Sequence, residues 1–180
     1  MWTAITREVS PALADCQLSF VERDAIDVDR ARAQHAAYRV ALESLGCELL
    51  ELPADAAFPD SVFVEDVALA FDEVAIATRP GAESRRNEGD AVLEVLGSLR
   101  PVLRIEAPGT LDGGDVLRIG KRVFVGASAR SNAAGQQQLR DLLAPHGYTV
   151  ESVAMRDCLH LKSAVTQAGE NAVLVNPAWI

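Results

Sequence analysis

Apolar residues along this chain fall into short runs that alternate with longer amphipathic stretches, and the alternation is periodic. Residues 67–71 and 74–78 are apolar runs separated by Asp72-Glu73, a pattern that predicts a β-hairpin. Apolar positions then recur at helical spacing at Val92, Leu93, Val95, Leu96 and Leu99 within 84–99, and 102–105 reads as a strand. The same order, strand, strand, helix, strand, returns downstream. Residues 116–119 and 122–125 predict a second hairpin around Gly120-Lys121, 132–144 a helix and 149–153 a strand. The two hairpin turns, starting at Asp72 and Gly120, lie 48 positions apart. A third hairpin, 159–165 with 172–176, is expected around Gly169-Glu170-Asn171. Upstream, 4–7 repeats the pattern of 75–79, and a helix over 29–45 leads into a strand over 47–52.

The chain therefore reads as an α/β protein of ββαβ units at a period of ~50 residues, the spacing of radial or stacked repeats. Residues 1–180 form one domain in this reading. The helix that follows each earlier hairpin has no counterpart after 172–180. A second copy, in a homodimer, or further chain would complete the core, and the repeat logic favours a fragment of a longer protein.

Composition narrows the function classes. With 180 residues and 49% hydrophobic content the chain can bury a sizeable core. A net charge of −9 argues against binding a phosphate backbone, which rests on clustered Lys and Arg. No apolar run approaches the roughly 18 residues that cross a membrane, and MWTAITREVSPAL lacks the pattern of a secretory signal. Cys16, Cys47 and Cys158 are odd in number and far apart, which fits a reducing cytoplasm better than a disulfide framework.

Candidate chemistry concentrates in a few segments. FPDSVFVEDVALAF, residues 58–71, carries Asp60, Glu65 and Asp66 in what otherwise reads as a buried strand. Burying an unpaired carboxylate costs several kcal/mol, so these acids need a cation, either an Arg of the fold or a cationic ligand. Strand alternation over 62–71 would send Asp66 to one face and Glu65 to the other. Arg85 and Arg86 follow the turn at 79–84, and Arg130 stands in the equivalent turn of the next unit. Guanidinium groups so placed suit a bidentate clamp on a ligand carboxylate, or ordinary surface ion pairs. Thr110-Leu111-Asp112-Gly113-Gly114-Asp115 sets two acids around a Gly-Gly step, with too few oxygens for a metal loop. His35, His146 and His160 are isolated from one another, so no zinc spacing is present. His160 would share a strand face with Cys158 at a Cα separation of ~6.5–7 Å, loose for a base and its nucleophile. A core histidine held by a hydrogen bond is the other reading. Cys16 and Cys47 read as small core residues.

Taken in order, the segments FPDSVFVEDVALAF, TRPGAESRR, GTLDGGDVL, GASARSN and CLHLKS resemble the dimethylarginine dimethylaminohydrolases, guanidine-modifying enzymes of the pentein fold. The similarity covers essentially the whole chain. It implies an α/β propeller of five ββαβ blades, of which about three and a half are present. It also implies hydrolysis of Nω-methylated arginine to citrulline and methylamine or dimethylamine, with no metal or other cofactor. In the family a Cys thiolate attacks the guanidinium carbon, a His protonates the departing amine and then activates water, and an acid orients the His. Carried over, His160 is the acid and base and Asp112 its orienting carboxylate. Glu65 and Asp66 stand near the guanidinium, Asp60 and the Leu18 carbonyl near the α-amine, Arg85 and Arg130 at the α-carboxylate, and Phe63 over the channel. The family nucleophile lies near the carboxyl terminus of a longer chain, and none of the three cysteines matches it. Residues 1–180 alone are thus expected to lack the hydrolase activity of the full-length parent. The nearest rivals are an arginine deiminase or amidinotransferase of the same superfamily and a non-catalytic arginine-binding pentein. Deiminases carry an acid two residues after the His, where this chain has Lys162.

Overall fold

Four small sheets with related topology make up the computed structural model, which describes residues 2–170 and 172–180. The first pairs β1 (Trp2–Arg7) in parallel with β2 (Cys47–Leu52), joined through helix α1 (Val28–Ser44). Asp27 starts α1 by accepting the Arg30 amide on its side chain. In the second sheet β3 (Ala68–Ala70) runs antiparallel to β4 (Ala75–Ala77), and β4 runs parallel to β5 (Val102–Arg104) across helix α2 (Asp90–Leu99). The third repeats that unit with β6 (Val116–Ile119), β7 (Arg122–Ala127), α3 (Ala133–Leu143) and β8 (Thr149–Ala154). Asn132 caps α3 through the Gly135 amide. The fourth holds a one-turn helix α4 (Leu161–Ala164) and the hairpin β9 (Val165–Gly169) with β10 (Ala172–Val175). These sheets are separate and do not join into a closed barrel. The architecture is thus an α/β fold with two complete ββαβ units, a βαβ segment before them and a hairpin after them.

The core follows from this stacking. Leu69, Phe71 and Ile76 of the second sheet meet Val116, Val123 and Val125 of the third, with Leu139 and Leu143 of α3 closing the layer. A second cluster seats Val92 and Leu96 of α2 against Leu52, Val67 and Ala75. No helix among the described residues is long and apolar enough to cross a membrane.

Three segments depart from the expected elements, all at the same end of the sheets. Residues 62–67 are not strand, because Val64–Asp66 forms a single-turn helix and β3 begins only at Ala68. Its carbonyls find tertiary partners instead of a ladder, with the Asp66 carbonyl accepting the Thr78 hydroxyl at 2.6 Å. The α-helix expected from residue 84 begins at Asp90, since 83–88 is held in turns by buried side-chain bonds of Arg85. The first arm of the last hairpin begins at Val165, not at 159, and the segment before it turns into α4. Of the expected third hairpin turn, Asn171 lies outside the described residues.

Candidate functional site

Two polar ends result from a hairpin, one at its turn and one where its strands enter and leave. At the open end, the segment leading into each hairpin is a tight turn: Val64–Asp66 before β3, Gly113–Asp115 before β6, and His160 with α4 before β9. These three equivalent turns pack on one another. Their approach explains the Gly-Gly step. A Cβ on Gly113 would lie 1.8 Å from the Glu65 carbonyl oxygen, and one on Gly114 would lie 2.7 Å from the His160 ring and 2.8 Å from Asp66.

His160 sits at the centre of the cluster with extended backbone, capping α4. Its Nε2 is 3.9 Å from Asp66 Oδ1 and 3.9 Å from Asp112 Oδ2, while Nδ1 is 3.4 Å from Asp115 Oδ1. The Nδ1 approach falls short of hydrogen-bond geometry, so this buried nitrogen has an ionic neighbour but no hydrogen-bond partner. Asp66 accepts the Gly114 amide at 2.8 Å and the Arg85 guanidinium at 2.7 Å. Arg85 also reaches both Glu88 oxygens at 3.1 Å and the Asp60 carbonyl at 3.4 Å. Asp112 accepts the Gly81 amide at 2.7 Å and Arg130 at 3.4 Å, and Arg130 reaches across to the Ser19 hydroxyl at 2.9 Å. Asp60 accepts the Gln17 amide at 3.0 Å.

Counted by charge, the cluster is unbalanced. Asp60, Asp66, Glu88, Asp112 and Asp115 are buried among Arg85, Arg130 and the imidazole of His160, and a further buried cation, Arg7, donates to the Glu88 carbonyl at 3.1 Å but pairs with Asp55 outside the cluster. One ligand atom from each of Asp66, Asp112 and His160 falls within 4.8 Å of the others, a donor set that suits a cation, metal or organic.

No family model matches the chain. Among curated proteins it is 49% identical over 173 residues to the N(G),N(G)-dimethylarginine dimethylaminohydrolase of Streptomyces coelicolor, covering 95% of this chain and 67% of that protein. The Pseudomonas aeruginosa protein of the same name is 43% identical over 150 residues, covering 82% of this chain and 59% of its own length. A solved structure of the P. aeruginosa enzyme, a Cys-to-Ser mutant complexed with citrulline, superposes with a TM-score of 0.91 at 40% identity, covering 95% of this chain and 68% of that one. The chain belongs to the dimethylarginine dimethylaminohydrolase family. It spans between 59% and 67% of the length of these two curated relatives.

Electrostatics distinguish this family member's buried groups. Burial works against a charged His160, but Asp115, Asp66 and Asp112 outweigh it and raise the imidazole above its ordinary value. Burial also opposes the Arg85 cation, and here Glu88 and Asp66 prevail and hold it charged. Glu88 moves upward because burial exceeds what its pairing with Arg85 returns. Burial raises Asp112 too, against the Gly81 amide. The site is a place where negative charge is costly and a further cation would be stabilised.

Of the residues expected at the site, Asp60, Asp66, Arg85, Asp112, Arg130 and His160 lie in this one buried cluster. Glu65, Phe63 and Leu18 border the cluster without being buried in it. Glu65 turns outward, 61% exposed, and pairs with Lys162 at 2.6 Å, so it does not accompany Asp66. Phe63 is half exposed with the Arg85 guanidinium 6.0 Å from its ring centre. Leu18 packs its side chain on the Val9, Leu13 and Cys16 cluster, between Gln17, which bonds Asp60, and Ser19, which accepts Arg130. Arg85 and Arg130 are occupied by internal acids rather than standing free for a carboxylate. Sequence reasoning missed Glu88 and the serine-bound Asp115. Glu88 stands three residues after Arg85, a spacing that brings charges together in a helical turn. Asp115, in the quoted GTLDGGDVL, carried no distinguishing signal of its own.

Proposed function

We propose that this site binds the guanidinium of an Nω-methylated arginine, and that the whole protein hydrolyses it to citrulline and methylamine or dimethylamine. The excess of buried carboxylates over cations carries the reading, since a delocalised cation between Asp66 and Asp112 would relieve their mutual repulsion. A ligand cation there also faces His160 Nε2, where a proton can pass to the departing amine. In the whole protein a cysteine thiolate adds to the guanidinium carbon, and the tetrahedral adduct expels the amine as it takes the His160 proton. His160 then removes a proton from water, which displaces the sulfur and leaves the ureido group of citrulline. Asp60 and Leu18 would face the α-amine, and Arg85 and Arg130 the α-carboxylate, each after exchanging an internal partner for the ligand. Phe63 would cover the channel and Glu65 would swing inward from Lys162. The five-bladed propeller is the arrangement these units would complete.

The described cysteines argue for binding without turnover by residues 1–180 themselves. Cys158 is buried, its thiol turned to the His160 carbonyl at 3.8 Å, and burial followed by Asp115 and Asp157 pushes it up, away from a thiolate. Cys16 is raised by burial and then Asp60. Assayed with asymmetric dimethylarginine, residues 1–180 should release no citrulline. Release that disappears in Cys158→Ala would overturn this and make Cys158 the nucleophile.

A further inference from the structure

We propose that Asp115 positions His160, holding the imidazole proton on Nδ1 so that Nε2 is presented between Asp66 and Asp112. The inference rests on His160 acting as acid and base in the proposed function, and assigns the orienting role that the family resemblance gives to Asp112. The two carboxylates are used differently. Both oxygens of Asp112 are engaged away from the ring, one by the Gly81 amide and the other by Arg130, and its approach to His160 is to Nε2 at 3.9 Å. Asp115, fully buried, approaches Nδ1 at 3.4 Å, and the same Oδ1 accepts the Leu161 amide at 3.1 Å. One oxygen therefore bonds the peptide next to the ring and stands within ionic reach of Nδ1, which has no hydrogen-bond partner of its own in the structure.

The far side of Asp115 is fixed as firmly. Oδ2 accepts the Ser128 hydroxyl at 2.5 Å and the Ser131 hydroxyl at 2.6 Å. Those hydroxyls have their own acceptor sides occupied, Ser128 by the Arg130 and Ser131 amides and Ser131 by the Asp112 amide. Their protons are thus directed at Asp115, and the carboxylate cannot turn to offer a proton to His160. With Asp115 Oδ1 the acceptor that Nδ1 faces, we place the hydrogen of the neutral imidazole on Nδ1, where it closes the 3.4 Å approach to a hydrogen bond. Nε2 is left as the nitrogen that takes and returns a proton, facing Asp66 with Arg85 behind it and Asp112 with Arg130 behind it.

The tautomer can be read by long-range nitrogen–proton correlation on 15N-labelled protein, at a pH where His160 is neutral and without substrate or turnover. Unmodified protein should show the Nδ1–H tautomer for His160, and an Nε2–H tautomer would overturn the proposal even if no variant folds. In Asp115→Asn two directed serine hydroxyls hold the amide oxygen against the single Leu161 amide, so the NH2 takes the place of Oδ1 beside Nδ1 and the tautomer should shift to Nε2–H. Asp112→Asn should leave it unchanged. The opposite pattern, a shift with Asp112→Asn and none with Asp115→Asn, would assign the role to Asp112. Because the readout needs no catalysis, a whole protein that releases no citrulline would defeat the hydrolase reading while leaving the tautomer result to stand.

Discussion

The two ends of the same hairpins carry opposite electrostatics. At the turn end, Asp72 and Glu73 stand exposed beside Arg118 and Lys121, with ion pairs of 2.6 and 2.5 Å, and Tyr148 donates to Glu73 at 2.9 Å. Bonds from Arg118 and Lys121 hold both carboxyls below their ordinary values. At the open end burial pushes Glu88 and Asp112 above theirs, although arginines are bonded to both. The turn end is matched charge in water, whereas the open end has more acid than its own cations satisfy. A surface that only needed to be soluble would resemble the former. The imbalance of the latter is what a binding site for a cation requires.

Breaking the open end should have the largest effect. Arg85→Met leaves Asp66 and Glu88 buried without their cation, and urea denaturation should report a loss of about 3–5 kcal/mol. A loss near zero would mean that the acids protonate freely and that the network does not constrain the site. Gly113→Ala tests the packing of the lead-in turns, because its Cβ meets the Glu65 backbone. It should destabilise by roughly 1–3 kcal/mol, as overpacking does.

Acidity separates the ends by sign. His160, Glu88 and Asp112 are raised in the folded state, so each contributes stability below its unfolded value that is lost as pH rises through its folded value. For His160 that loss begins above its ordinary 6.5. Asp72 and Glu73 are lowered, so their contribution is present above 3.8 and 4.5 and disappears as pH falls through the folded values. Melting temperature followed against pH should lose its decline above neutrality in His160→Gln and soften on the acid side in Asp72→Asn. Identical profiles in both variants would remove the distinction between the ends. The smallest change is expected for Asp72→Asn near neutral pH, and it should vanish at ~1 M salt, where screening acts over ~3 Å.

The first two hairpins, the helices and the repeat were legible because each depends on neighbours in sequence: polar turns between apolar runs, and apolar residues at helical spacing. The site was legible as a set of residue types. Asp66 could be picked out because an acid is misplaced in an apolar segment, and Arg85 from its place in the turn after an apolar run. Asp112 and His160 stood out from the motifs that carry the family resemblance. The lead-in turns were not legible. Residues 62–71 alternate as a strand would, but the local conformation is decided by contacts 48 positions away, the Gly114 amide on Asp66 and the Glu65 carbonyl against Gly113. The same cause hid the outward course of Glu65. Asp115 looked like any acid in a turn, since its meaning comes from Ser128, Ser131 and Leu161, which the chain brings back from two other segments.

The central claim is that the open end has more acid than its own cations satisfy, so that it binds a cationic ligand. Isothermal titration of residues 1–180 with asymmetric dimethylarginine and, in parallel, with citrulline differs only in the charged end of the ligand. Tighter binding of the cation, lost in Asp66→Asn, is the predicted result. Equal affinity for the two, or no binding of either, would contradict it.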